Sequence, residues 1–356
     1  MASGRDPERE RVLRARNHRP TTEWFAEQEY APDQCGLDPV APSLESFHLV
    51  DWSSFWAVDD AVEQWIVDPV LPKGRSTAIY APAKTGKSLL ALEIAAAVAT
   101  GRRIMHQQDG QARSTLYLDY EMTEDDLRDR LISLGYGPED DLSLLHYALL
   151  PSLPPLNTAA GGDELGRLVE ALAVEVVIID TFGRAAEGEE NSNDTTRSFY
   201  AHSGVMLKRL GVTSLRLDHA GKDLAKGQRG ASAKNDDVDV VWQLTVAEGD
   251  AVKLKRTHSR MSWIEAEVNL RRYENPLSHR IIAESWPAGT KETADDLDAL
   301  RVPIDASRRA AERALSEAGK GKRHEVVAAA LRYRLVGPQI PGTTPWTDSG
   351  ATEGDH

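Results

Sequence analysis

The chain has 356 residues, 41% of them hydrophobic, and a formal net charge of −14. That length allows one large α/β domain with smaller flanking pieces, and the acidic balance excludes a protein that coats duplex DNA with its whole surface. Cys35 is the only cysteine, which excludes an intrachain disulfide and a zinc site built on several thiolates, and fits a reducing cytoplasm. Residues 1–48 are rich in charge, Pro and Gln and are expected to form a disordered arm. The arginines from Arg5 to Arg19 are followed by no apolar run, so they do not read as a signal peptide. The apolar stretches are strand-length or amphipathic, so no membrane contact is expected.

The segment Leu49–Val70 carries Trp52, Trp56 and Trp65. It reads as a short helical lead-in whose tryptophans are buried on the edge of a core. From Ser76, short apolar runs alternate with amphipathic stretches. Strands are predicted over 77–80, 115–120, 174–180 and 213–218, and helices over 87–100, 124–134, 164–173 and 195–210. Thr123 is the expected N-cap of the second of these helices. Such alternation predicts a mostly parallel sheet with helices on both faces. Residues 238–246, 251–257 and 263–270 are strands without intervening helices, which predicts an antiparallel extension. The main domain is thus expected over 49–290, a small helical region over 291–335 and a disordered tail over 336–356.

The segment Ala81-Pro82-Ala83-Lys84-Thr85-Gly86-Lys87-Ser88-Leu89 follows a predicted strand and opens a predicted helix. It departs from G-x-x-x-x-G-K-[ST] only at the first position, where Ala81 replaces Gly. Loop amides and a helix N-terminus can cradle phosphate oxygens. Lys87 is placed to neutralise β- and γ-phosphate charge, and the Ser88 hydroxyl to ligate Mg²⁺. The pattern therefore implies ATP and Mg²⁺ as ligands. About 90 residues later, the apolar strand Val174-Glu175-Val176-Val177-Ile178-Ile179 ends in Asp180. This is a Walker B arrangement, in which Asp180 is a second Mg²⁺ holder.

The strand Leu116-Tyr117-Leu118-Asp119-Tyr120 runs into Glu121-Met122, and Arg130-Leu131 follows on the next helix. Hydrolysis needs a base beside the γ-phosphate, and the ends of parallel strands converge there. Glu121 is the candidate, ahead of Asp119 and Glu124; a plain capping role for Glu121 stays open. Further on come Asp180-Thr181-Phe182-Gly183-Arg184, then Asp218-His219-Ala220-Gly221-Lys222, then Gln228-Arg229-Gly230-Ala231-Ser232-Ala233. Over residues 61–275 the sequence resembles the RecA-like hexameric helicases, specifically the DnaB and RepA-type replicative group. The resemblance implies a RecA-like P-loop core in which Glu121 polarises water, Arg130 contributes to the nucleotide site and His219 senses the γ-phosphate. A structural histidine is the alternative for His219.

Lys222, Lys226, Arg229 and Lys234 form a basic Gly-rich loop. In such rings the loop at this place faces the channel, so these residues are candidates for single-stranded DNA, with a solvated loop as the alternative. On the later strand, Lys253 and Lys255 share one face, with Arg256 and His258 on the other. The resemblance implies a finger that reaches the neighbouring subunit's ATP. Lys255 and Arg256 are the candidates, with Arg260 behind them. The resemblance further implies a homo-oligomeric, hexameric ring in DNA replication with a separate primase or initiator. Two alternatives remain: a recombination or regulatory ATPase that assembles on DNA without unwinding it, and an ATP-switched assembly protein that binds no nucleic acid.

Overall fold

The computed structural model describes residues 49–55, 65–105, 110–189, 192–220, 237–246, 250–282 and 286–336. The chain divides into two units, residues 1–59 and 60–356. In the first, the helix α1 (Trp52–Phe55) is one turn long; Trp52 is exposed and meets Phe55 edge to face. Of the expected helical lead-in, the described residues show this one turn, with Trp52 exposed rather than buried. Trp56 lies outside the described residues, and Trp65 starts a strand rather than extending a helix.

In the second unit, β1 (Trp65–Val67) and β2 (Leu71–Pro72) make a small antiparallel pair. The main sheet has nine strands among the described residues. Its parallel part comprises β3 (Ser76–Ala81), β4 (Thr115–Asp119), β5 (Leu145–Leu149), β6 (Val176–Asp180) and β7 (Thr213–His219). The remainder comprises β8 (Val240–Val246), β9 (Ala251–Ser259), β10 (Glu267–Glu274) and β11 (Leu277–Ile281). The spatial order is β11-β10-β9-β8-β3-β7-β6-β4-β5. This is the mostly parallel α/β architecture with an antiparallel extension that the sequence predicts. One detail differs: β8 pairs parallel to β3, so the antiparallel part begins only with β9. Strands β5 and β11 were not predicted.

Helix α2 (Lys87–Thr100) and helix α3 (Glu124–Ser133) lie on one face of the sheet. The opposite face carries α4 (Ala159–Ala171), α5 (Phe182–Ala185), α6 (Asn193–Phe199) and α7 (Val205–Arg209). Strand alternation feeds both cores: Val176 and Ile178 point to the first, Val177 and Ile179 to the second. A crossover from one parallel strand to the next is right-handed, so reversing the direction of travel after β5 moves the helices to the other face. The helix expected over 195–210 is broken by one π-helical stretch, Tyr200–Gly204. Helix α4 begins five residues before its predicted start, because Thr158 caps it by accepting from the Gly161 amide.

Helix α2 is apolar around nearly its whole circumference and is buried along its length. That pattern suits an element covered on all sides rather than a surface helix. The β10–β11 hairpin supplies part of the cover, with Leu277 packed on the same core as Leu90 and Ile94. The hairpin tip reaches further, since a Cβ on Gly135 would stand 3.1 Å from the Pro276 ring.

The last helices, α8 (Thr290–Ala299), α9 (Arg308–Glu317) and α10 (His324–Val336), gather their own apolar cluster around Leu297, Ala311, Leu315 and Val327. Arg332 of α10 pairs with Glu265 and lies 3.8 Å from Asp68.

At the start of α3, Thr123 accepts from the Asp126 amide while the Asp126 carboxylate accepts from the Thr123 amide, a capping box. Replacing Thr123 by Ala is expected to lower stability by about 1 kcal/mol. Urea unfolding checks this, with an unchanged m-value as the sign that only the folded state has lost a contact.

Candidate nucleotide site

Parallel register brings four strand ends to within two residues of one another. Ala81 of β3 stands beside His219 of β7, and Asp119 of β4 stands beside Asp180 of β6. The P-loop leaves β3 at Ala81 and enters α2 at Lys87. Gly86 there adopts φ 95°, a left-handed conformation open to glycine at little cost. Lys84 also has positive φ, and Thr85 braces the turn by donating to the Pro82 carbonyl at 2.7 Å. The Lys87 ammonium is buried and donates to the Ala81 and Pro82 carbonyls, both at 3.1 Å. It thus sits inside the loop that its own helix terminates. Pro82, Ala83 and Lys84 are exposed along the rim, with Ser88 and Leu89 half-buried in the first turn.

Asp180 is buried, and Oδ2 accepts a 2.8 Å hydrogen bond from the Tyr117 hydroxyl. Burial raises its pKa to about 6, against hydrogen bonds from Tyr117 and Ser88 that favour the charged form. The carboxylates of Asp119 and Glu121 push in the same direction as burial. Asp180 Oδ1 is buried without a hydrogen-bond partner. A buried acceptor left orphaned, beside a hydroxyl that a divalent cation could share, is the donor set of a hard-cation site. The residues present therefore fit Mg²⁺ held by Ser88 and Asp180.

The neighbouring carboxylates have separate jobs. Asp119 accepts from the Glu121 and Met122 amides at 2.8 and 3.0 Å and from the Tyr147 hydroxyl at 2.5 Å. It is fully engaged in shaping the turn. Glu124 is exposed and lies 3.5 Å from Arg128. Glu121 takes no part in capping α3, which Thr123 and Asp126 do instead. Its carboxylate faces the end of β6, where Oε1 accepts from Arg184 Nε at 3.0 Å and from Thr181 at 3.4 Å. Arg184 and Tyr117 contact the candidate residues, a role that no motif in the sequence assigns them. Arg184 lies four residues after Asp180, a signal that was readable; the Tyr117 contact spans 63 residues and was not.

Arg130 sits half-buried on α3 with Nη1 buried and without a hydrogen-bond partner. His219 ends β7 half-buried beside Ala81. On β9, a bulge opposite Val241 and Trp242 places Thr257 out of register. Lys255 faces solvent, whereas Arg256 is half-buried and donates to the Ile264 carbonyl. Lys222, Lys226, Arg229 and Lys234 lie outside the described residues.

Folding raises the Asp180 pKa from 3.8 to about 6, so the folded state binds a proton more tightly than the unfolded chain. Stability then falls as pH rises from about 4 to about 6, by at most about 3 kcal/mol in total. Asp180→Asn is expected to melt a few degrees above the nucleotide-free parent at pH 7.5. The gap should close toward pH 4; thermal melts across that range that keep a constant gap would contradict the charge-burial account.

A sequence model of one family, described as an AAA domain (AAA_25), matches residues 43–225, half of the chain. Among solved structures, a KaiC-like protein from the hyperthermophilic archaeon Pyrococcus horikoshii OT3 is similar at 16% sequence identity and a TM-score of 0.45. The match covers 60% of this chain and 91% of that one.

Proposed function

The chain belongs to the AAA-domain family just described, and from that premise we propose that it is an ATP hydrolase of the RecA type, acting as a helicase-like motor on single-stranded DNA during replication. The observation that carries the ATPase reading is the meeting of Lys87, Ser88, Asp180, Glu121 and His219 at the ends of β3, α2, β6, β4 and β7. In this reading the loop amides and Lys87 bind the phosphates, with Lys87 turning from the Ala81 and Pro82 carbonyls to the β- and γ-oxygens. Ser88 and Asp180 would hold Mg²⁺, which would offset phosphate charge. Glu121 takes the proton of the attacking water, and His219 donates to the γ-phosphate or accepts from that water. Arg184 and Thr181 hold the Glu121 carboxylate at its post. Arg130 supports the phosphate end.

A neighbouring subunit in a ring, hexameric in this reading, completes the site. Lys255 is the better finger because it faces outward, while Arg256 is spent on the Ile264 carbonyl of its own chain. The DNA assignment rests on Lys222, Lys226, Arg229 and Lys234. The net charge of −14 favours the competing reading, an ATP-switched assembly protein that binds no nucleic acid.

Steady-state ATP hydrolysis with and without single-stranded DNA tests both. DNA stimulation that disappears in Lys87→Ala and Glu121→Gln supports the motor, with strand displacement as the following assay. Hydrolysis indifferent to DNA supports the assembly switch. Full activity in Glu121→Gln would remove Glu121 from its assigned role. Lys255→Ala is expected to lose roughly a hundredfold or more in kcat while the isolated subunit binds ATP normally. A loss of ATP affinity in that variant instead would place Lys255 in its own chain's site.

A further inference from the structure

The β10–β11 hairpin carries a polar chain that none of the assigned roles uses. Glu93 lies on α2, in the second turn after Lys87, and is buried. Its Oε1 accepts from the His279 amide at 2.9 Å, and its Oε2 lies 2.6 Å from His279 Nδ1. Across the hairpin, Arg272 is the register partner of His279. Arg272 Nε donates to His279 Nε2 at 3.2 Å. With Nε2 accepting, the ring proton belongs on Nδ1, where the Glu93 carboxylate receives it. The order is therefore carboxylate, imidazole, guanidinium.

The guanidinium ends at the P-loop. A Cβ on Gly86 would stand 2.6 Å from Arg272 Nη2, so that nitrogen lies against the glycine immediately before Lys87. Nη2 is buried and has no hydrogen-bond partner. A buried cationic donor without an acceptor is costly unless a ligand supplies one. The strand order gives the direction of approach. Asp180, Glu121 and His219 come from strands on one side of β3, whereas β8 to β11 lie on the other. A triphosphate whose γ end faces the acidic strand ends must present its nucleoside end toward the Arg272 side.

We infer that Arg272 is a nucleotide-binding residue of the same chain, donating through Nη2 to the phosphates that ATP and ADP share, and that His279 and Glu93 are positioning residues that hold it there. This rests on the P-loop nucleotide site proposed above. The ligand chemistry is a nucleoside diphosphate or triphosphate, and the contact forms within one subunit. It also makes Gly86 doubly constrained, by its positive φ and by the guanidinium lying where a side chain would go.

The test is equilibrium binding of fluorescent ATP and ADP analogues to the full chain, with Lys87→Ala as the reference for the P-loop. Arg272→Ala should weaken ATP and ADP alike, by roughly tenfold to a hundredfold, the worth of one charge-assisted hydrogen bond. Unchanged affinity in Arg272→Ala, alongside lost affinity in Lys87→Ala, would overturn this inference and leave the ATP site standing. Unchanged affinity in Lys87→Ala would overturn the site itself. A loss confined to ATP would move the contact to the γ-phosphate, and a gain in affinity would make Arg272 an obstruction; both defeat the assignment. Arg272→Lys keeps the charge but lacks the Nε donor to His279, so it should bind with affinity between parent and Ala variant. Parental affinity there would overturn the relay. Glu93→Gln should weaken binding less than Arg272→Ala and add nothing in the Arg272→Ala background.

Discussion

Parallel pairing of β3 with β7, β7 with β6 and β6 with β4 makes four strands finish within two residues of one another. Everything polar in the candidate site follows from that shared finish. Side chains one step beyond a strand end need no loop to bring them together, and the amides of α2 point at the same spot because the helix starts where β3 stops. The convergence has a cost. Asp119 and Asp180 end up adjacent and buried, where two like charges in low dielectric disfavour each other. Tyr117 and Tyr147, stacked with centroids 4.6 Å apart, each give one hydroxyl to one carboxylate and partly offset that cost. Burial, Asp180 and Asp119 together push the Tyr117 phenol far above its ordinary pKa, so it stays a donor at any physiological pH.

The parallel core was legible because its signals are local. An apolar run of strand length followed by Gly86-Lys87-Ser88 and an alanine-rich helix has only one reading, and Thr123 announced the start of α3. What escaped had no local signal. The β11 segment Leu277-Ser278-His279-Arg280-Ile281 is too polar to look like a strand, since its histidine is satisfied by a glutamate 186 residues away. β5 is half-buried throughout. The parallel direction of β8 is a property of its partner β3 rather than of its own residues. The expected burial of Trp52 differs for a related reason: Trp52 supplies apolar area, yet area alone does not say whether anything will cover it.

Within the site, residue type was readable and division of labour was not. Asp119, Glu121 and Glu124 are interchangeable on paper. The structure separates them by occupancy: Asp119 is consumed by two amides and a phenol, Glu124 lies near Arg128 in solvent, and Glu121 faces the end of β6. The same sorting applies on β9. Alternation put Lys255 and Arg256 on opposite faces, and the bulge at Thr257 together with the Ile264 carbonyl shows which of the two looks outward.

The outermost strands of the large sheet, β5 and β11, are five residues each. In β11, half-buried Ser278 and Arg280 flank the buried His279. Borders this short resist pairing with a strand from another molecule. Such edges are poor templates for continuing the sheet into a neighbour. An assembly held by side-chain surfaces can open and close, whereas a shared ladder of backbone bonds would lock subunits together.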